Sequence, residues 1–271
     1  MAESPRTSPS PVRRSPRRTR RVGARVFPAT VTAVVDLTPH MRRLTLTAPE
    51  FADYAPNGPD EYLGLMMPRD DSRDLRLPAD DADNIRAAVA GLPEEDRPDL
   101  RWYTLRAHRP EAREIDVDFV VHGDEGPGTR FARRAAVGSR LGVRECTALY
   151  APEADARTRV IVGDETAIPA IARILEVGGD AGARVFIEVG DDADRQPLGD
   201  AVTWVSRGED RPGSRLIDAV QRAELPTRID YAWVCGERLA VQEIRRLLVQ
   251  RGVPKGRITF SGYWRLGEAR L

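Results

Sequence analysis

Six consecutive residues, Arg101-Trp102-Tyr103-Thr104-Leu105-Arg106, set two aromatic rings and a hydroxyl between guanidinium groups. On a strand, Arg101, Tyr103 and Leu105 point to one face and Trp102, Thr104 and Arg106 to the other. A flavin nucleotide needs such neighbours: an apolar surface for its ring, a hydrogen-bond partner for its N5 edge and forked cations for its pyrophosphate. An ordinary barrel strand with a polar face accounts for the same residues equally well. A second segment, Val121-His122-Gly123-Asp124-Glu125-Gly126-Pro127-Gly128-Thr129-Arg130-Phe131, puts three glycines and a proline before a hydroxyl that opens a helix. Backbone N–H groups in such a turn can face an anion. The glycine spacing differs from G-x-G-x-x-G and no Gly-Lys-Ser/Thr follows, so neither the dinucleotide fingerprint nor a P-loop is present. Alone the segment reads as a plain turn. His122, with no second histidine nearby, reads as a hydrogen-bonded structural residue rather than a metal ligand.

Further along, Gly163-Asp164-Glu165-Thr166 follows an apolar strand pattern and opens a helix. Carboxylates stabilise a helix N-terminus but repel a pyrophosphate that would bind there. Asp164 or Thr166 as a simple N-cap is the other reading. Trp204-Val205-Ser206-Arg207 ends a later strand, with Arg211 beyond it, and Ser206 with Arg207 suits a ribose 2′-phosphate. Asp191, Asp192 and Asp194 crowd a different strand end, where acids suit a free 2′-hydroxyl. NADH and NADPH both stay open. Trp264, near the end of the chain, either closes over a cofactor or simply packs.

The elements that would hold these residues fall into two groups. Residues 31–35, 43–47, 62–67, 102–107 and 114–121 alternate or run apolar with β-branched residues and are separated by turn residues. With a short helix near 129–135 they describe a small antiparallel barrel. Residues 69–100 are acidic and proline-dotted, an excursion with one helix at 83–90. After Tyr150 the rhythm changes to strand and helix in alternation: strands at 160–162, 185–189, 202–205 and 232–234, helices at 168–177, 214–222 and 238–250. That order predicts a parallel sheet covered by helices. The expected organisation is a basic disordered tail over 1–24, a barrel over 25–152 and an α/β nucleotide-binding domain over 153–271.

The chain has 271 residues, with 42 basic and 42 acidic ones, so no global field favours nucleic acid or a membrane surface. Two cysteines are too few for a disulfide scaffold or thiolate metal site and predict a reducing, cytoplasmic setting. No apolar run approaches the roughly 20 residues of a spanning helix. The first 21 residues are rich in Ser, Pro and Arg without an apolar centre, unlike a secretory signal.

Taken together, four motifs in order resemble one family. They are Arg101-x-Tyr103-Thr104-x-Arg106; His122-Gly123-x-x-Gly126-Pro127-Gly128-Thr129-Arg130-Phe131-Ala132; Gly163-Asp164-Glu165-Thr166-Ala167-Ile168-Pro169; and Gly262-Tyr263-Trp264-Arg265-x-Gly267. The chain resembles the siderophore-interacting proteins, within the ferredoxin-reductase-like flavoenzymes, over about residues 25–267. The resemblance implies FAD on the barrel, NADH or NADPH at the parallel sheet and a ferric siderophore as electron acceptor, with iron released as Fe(II). It implies that Tyr103 stacks on the flavin ring, Thr104 meets its N5 edge, and Arg101 and Arg106 anchor the flavin and its phosphates. It places His122 against the cofactor, Gly126, Gly128 and Thr129 on the pyrophosphate, and Asp164, Glu165 and Thr166 along the nicotinamide cleft. Many relatives carry a lysine where this chain has Gly64, held to grip the anionic siderophore. The positive charge would then come from Arg42, Arg43, Arg130, Arg133 or Arg265, and Gly64→Lys would keep or raise the rate with an anionic chelate. A flavin reductase serving another protein, and a flavin- or siderophore-binding module with little turnover, are the alternatives.

Overall fold

The computed structural model describes residues 21, 23–70, 75–79, 84–121 and 126–268. The first part builds seven strands: β1 (Val26–Thr38), β2 (Met41–Thr47), β3 (Tyr62–Met67), β4 (Asp99–Thr104), β5 (Ala107–Arg109), β6 (Glu114–Val120) and β7 (Arg140–Arg144). They form one antiparallel sheet in the order β4-β3-β7-β1-β2-β6-β5. Along β6, Ile115, Val117 and Phe119 are fully buried. The intervening Asp116 and Asp118 are buried as well, because Arg109 and Arg43 cover them with paired hydrogen bonds.

One sequence expectation needs correction here. The run at 102–107 is two strands, broken at Leu105 and Arg106. The Leu105 N–H donates to the Glu61 carbonyl and the Arg106 N–H to the Asp116 carbonyl. Two residues thus carry the chain from one end of the sheet to the other, and the sheet must roll up to allow it. That closure brings β4 against β6 and seats Tyr103 on Phe119, with ring centroids 4.2 Å apart. Two short helices flank the barrel, α1 (Ile85–Ala90) and α2 (Pro127–Arg134). Leu100, Met66 and Trp102 pack in a cluster with Ile85 and Val89 of α1, outside the barrel core.

The second part contains β8 (Arg159–Asp164), α3 (Ile168–Gly178), β9 (Ala183–Val189), β10 (Val202–Ser206), α4 (Ser214–Arg222), β11 (Tyr231–Glu237), α5 (Arg238–Gln250) and β12 (Ile258–Trp264). The sheet is parallel throughout, in the order β10-β9-β8-β11-β12. Helix α3 covers one face with Ile168, Ile171 and Ile174. Helices α4 and α5 cover the other with Leu216, Val220, Val241, Ile244 and Leu248. The strand order reverses between β8 and β11, which is where ligands of such sheets bind, beyond the C-terminal strand ends. β7 and β12 were not expected from the sequence.

Three ties join the sheets. Buried Asp60 accepts hydrogen bonds from the Leu149 and Tyr150 N–H groups and from Trp233 Nε1 at 2.8 Å. Asp194 accepts from Thr38 Oγ1 and the His40 N–H, and its other oxygen lies 2.8 Å from His40 Nδ1. Arg106 pairs with Glu176 of α3 at 2.7 Å. Arg21, grouped with the tail in the sequence, is anchored: it pairs with Glu61 at 3.1 Å and its guanidinium sits 4.6 Å from the Tyr54 ring centroid. Among the described residues no helix is long and apolar enough to cross a membrane.

Candidate functional site

The barrel closure decides what the Arg101–Arg106 strand presents. Tyr103 and Leu105 pack on the barrel core, while Trp102 turns outward beneath Arg86, whose guanidinium lies 4.2 Å from its ring centroid. The Tyr103 hydroxyl lies against Gly128: a Cβ there would stand 1.6 Å from the phenol oxygen. Only glycine permits that approach. Burial raises the Tyr103 pKa above its ordinary value, so the phenol stays neutral.

Beside it, half-buried Arg101 donates to the Leu100 carbonyl at 2.7 Å and forms no ion pair among the described residues, although Asp99 on the same strand face lies near enough to act on its charge. Burial lowers its pKa, the mark of a cation partly stripped of water. Facing the same region, α2 starts at Gly126 with no side-chain cap and no acid in its first turn. The uncapped N–H groups and the helix dipole give this end a positive character. Thr129 is buried and donates its hydroxyl to the Val120 carbonyl at 3.2 Å, tying the first turn of α2 to β6. Thr104 is buried on β4. Arg106 is paired with Glu176 of α3, and His122 lies outside the described residues.

At the parallel sheet, Asp164 is 2% exposed and collects four donors. Thr166 N–H and Oγ1 bond one oxygen at 2.9 and 2.5 Å; the Glu237 N–H and Trp264 Nε1 bond the other at 2.6 and 2.8 Å. Burial, then the neighbouring Glu165, pushes its pKa up to about 7. Gly236, at φ +141°, lets β11 pass close by, since a Cβ there would lie 2.6 Å from Asp164 Oδ2. The structure therefore gathers Asp164, Thr166 and Trp264 at the point where the strand order reverses. Glu165 pairs with Arg207 at 2.9 Å, and Arg207 also pairs with Glu188 at 3.1 Å. Glu188 in turn accepts from the Gly213 and Leu216 N–H groups at the start of α4. Both carboxylates hold the guanidinium offered for a 2′-phosphate. The acids at the β9 end are engaged too: Asp194 ties to His40 and Asp192 to Ser206 and Arg195.

The cations expected at the flavin mouth have partners of their own. Arg42 pairs with Asp36 at 2.6 Å, Arg43 with Asp118 at 2.6 Å, Arg130 with Asp99 at 3.8 Å, and Arg265 with Glu268. Arg133 lies in the last turn of α2. Gly64 is buried on β3, where a Cβ would lie 3.2 Å from Arg144 Cβ and 3.3 Å from Leu100 Cδ1. A lysine there would meet packed side chains, which must give way by a few tenths of an ångström to admit it. The sequence reading missed Glu188, Gly236 and Glu237. A buried acid inside an apolar strand was the available signal for Glu188, and a glycine at a strand end for Gly236.

Residues 30–148 match the siderophore-interacting FAD-binding domain, and residues 156–267 match the siderophore-interacting protein model. An uncharacterized protein of Mycobacterium tuberculosis is 37% identical over 257 residues, 88% of this chain and 89% of that protein. The ferric vibriobactin reductase ViuB of Vibrio cholerae is 28% identical over 237 residues, 84% of this chain and 85% of its own length. The crystal structure of a siderophore utilization protein from T. fusca superposes with a TM-score of 0.80 at 33% identity, covering 94% of this chain and 98% of that one.

Proposed function

The chain belongs to the siderophore-interacting protein family, and on that premise we propose that it is an FAD-dependent reductase that passes electrons from NAD(P)H to a ferric siderophore and releases Fe(II). The observation that carries the flavin half is the grouping of Arg101, Tyr103 and the Gly126–Thr129 helix start. A half-buried guanidinium that forms no ion pair, beside an uncapped helix N-terminus, fits a diphosphate, and the adjoining phenol fits an aromatic ring. When bound, FAD supplies two-electron acceptance and one-electron release.

In this reading Arg101 and the Gly128 and Thr129 N–H groups hold the pyrophosphate, Tyr103 offers its ring face and Thr104 lies at the ring edge. Arg106 acts on the flavin side only by leaving Glu176. On the donor side, Asp164, Glu165 and Thr166 border the nicotinamide cleft, with Arg207 braced behind Glu165 and Trp264 held by Asp164. The siderophore assignment is supported by the family and by the vibriobactin reductase relative.

The test is the absorption spectrum of the purified protein under argon. A flavin spectrum is expected, bleached by NADH or NADPH and restored by a ferric siderophore faster than by buffer. A protein that ignores added FAD refutes the cofactor. A flavin that no nicotinamide bleaches refutes the donor, and one reduced by dithionite that no ferric chelate reoxidises refutes the acceptor.

A further inference from the structure

At the opposite end of the parallel sheet from Asp164, the segments leading into β11 and β12 enclose a pocket of about 370 Å³. Its walls include Arg228, Arg251 and Arg257, and its apolar lining includes Ile229, Val253 and Pro254. Among the described residues, the carboxylate that Arg228 and Arg257 pair with is Asp230. Asp230 is already saturated on one oxygen by the Arg157 N–H, the Thr158 N–H and Thr158 Oγ1, at 3.0, 3.1 and 3.0 Å. Those backbone bonds hold its pKa below the ordinary carboxylate value, so it remains a fixed anion.

Arg228 Nε spends one donor on Asp230 at 2.8 Å, while its side chain is 78% exposed. Arg257 reaches the Asp230 carbonyl at 3.4 Å and its carboxylate at 3.7 Å through one nitrogen. Arg251 donates to the Gln221 and Ala223 carbonyls at the end of α4. Three arginines against one aspartate leave a local excess of two positive charges, in a chain whose charges otherwise balance. Exposed Lys255, the chain's single lysine, sits between the lining residues Pro254 and Arg257.

We propose that this pocket binds an organic phosphate, its dianionic group on Arg228 and Arg257 and its carbon skeleton on Ile229, Val253 and Pro254. The phosphate is preferred to a monocarboxylate because a monoester carries close to two negative charges and three acceptor oxygens, which match two forked donors and the local excess. The pocket's volume falls in the range that holds small organic ligands. Asp230 also fastens Arg157 and Thr158, the residues that lead from the barrel into β8, so the site adjoins the connection between the sheets.

Phenyl phosphate is the probe, titrated calorimetrically into the full-length protein carrying its flavin. It resembles neither FAD nor a nicotinamide, so the outcome stands apart from the proposed redox function. Saturable 1:1 binding is expected, weakened about tenfold or more in Arg228→Gln and in Arg257→Gln, as for loss of one charge-assisted contact. Inorganic phosphate should bind more weakly because it leaves the apolar wall uncovered, and benzyl alcohol should show no saturable binding. Both substitutions replace solvent-reaching side chains, and unchanged melting temperatures would certify the fold. No saturable binding overturns the proposal. So does an affinity unchanged in both variants, which puts the phosphate elsewhere, or equal binding of benzyl alcohol, which makes the site merely apolar.

Discussion

Gly128→Ala is the sharpest perturbation of the proposed flavin site. The added methyl would stand 1.6 Å from the Tyr103 hydroxyl oxygen and 2.9 Å from Cζ, well inside van der Waals contact. The phenol has little room to retreat, because Phe119 lies 4.2 Å away across the ring centroids and is itself fully buried. Either the Tyr103 ring tilts or the first turn of α2 moves outward by about 1.5 Å; overpacking of this kind costs about 1–3 kcal/mol. The moved turn would also lose a charge-assisted contact to the pyrophosphate, so FAD affinity should fall on the order of 10- to 100-fold. The assay is the melting temperature of the apoprotein together with FAD titration by flavin fluorescence quenching. Tyr103→Phe in the same chain removes the clashing oxygen and leaves the ring carbon at 2.9 Å, which relieves most of the overlap but still requires the ring to shift by about half an ångström or more. The double variant should therefore recover at least half of the stability lost, measured against Tyr103→Phe alone, a coupling expected of residues in contact. Wild-type stability and FAD affinity in Gly128→Ala, or no recovery in the double variant, would refute the close approach as a determinant of the site.

Arg101→Ala should weaken FAD binding by about 2–3 kcal/mol, roughly 30- to 150-fold, whereas Trp102→Phe, which alters only the outer face beneath α1, should leave it within about threefold by the same titration. For Asp164, a folded pKa near 7 against an ordinary value of 3.8 means the native state binds the extra proton, so wild-type stability should decline as pH rises from about 4 through 7. Asp164→Asn lacks that decline, so the variant's stability relative to wild type should grow over this window in urea melts; parallel pH profiles would exclude a raised Asp164 pKa. Gly64→Lys should lower the melting temperature through contact with Arg144 and Leu100, before any effect on an acceptor is read; a melting temperature equal to wild type would show that the strand accommodates it.

Much of the fold was legible because the two parts obey different periods. Ile115, Val117 and Phe119 alternate, while Ile168, Ile171 and Ile174 recur at helical spacing, and both patterns follow from which face is buried. β7 was missed because Arg140-Leu141-Gly142-Val143-Arg144 carries two charges and a glycine, and its strand character comes from pairing with β1 and β3 on both sides. The break at Leu105 and Arg106 was invisible for a similar reason. Continuous β propensity says nothing about which partner each residue pairs with, and barrel closure is a long-range event.

Site residues divided along the same line. Motif types located Tyr103, Gly128 and Asp164, but not the state of their charges. Residue type alone does not say which arginines meet a carboxylate on folding and which turn to carbonyls instead, as Arg97 and Arg159 do. Arg42, Arg43, Arg207 and Arg265 each meet a carboxylate, and Arg106 meets one at the sheet interface. Arg101 forms no ion pair among the described residues, and although nearby Asp99 raises its pKa, burial lowers it further, a cost that a bound phosphate would offset. The grouping of Arg101, Tyr103 and the uncapped start of α2 is fixed locally by β4 and by the close approach at Gly128, and for that reason the diphosphate end of the flavin is better defined than the docking surface for an anionic siderophore.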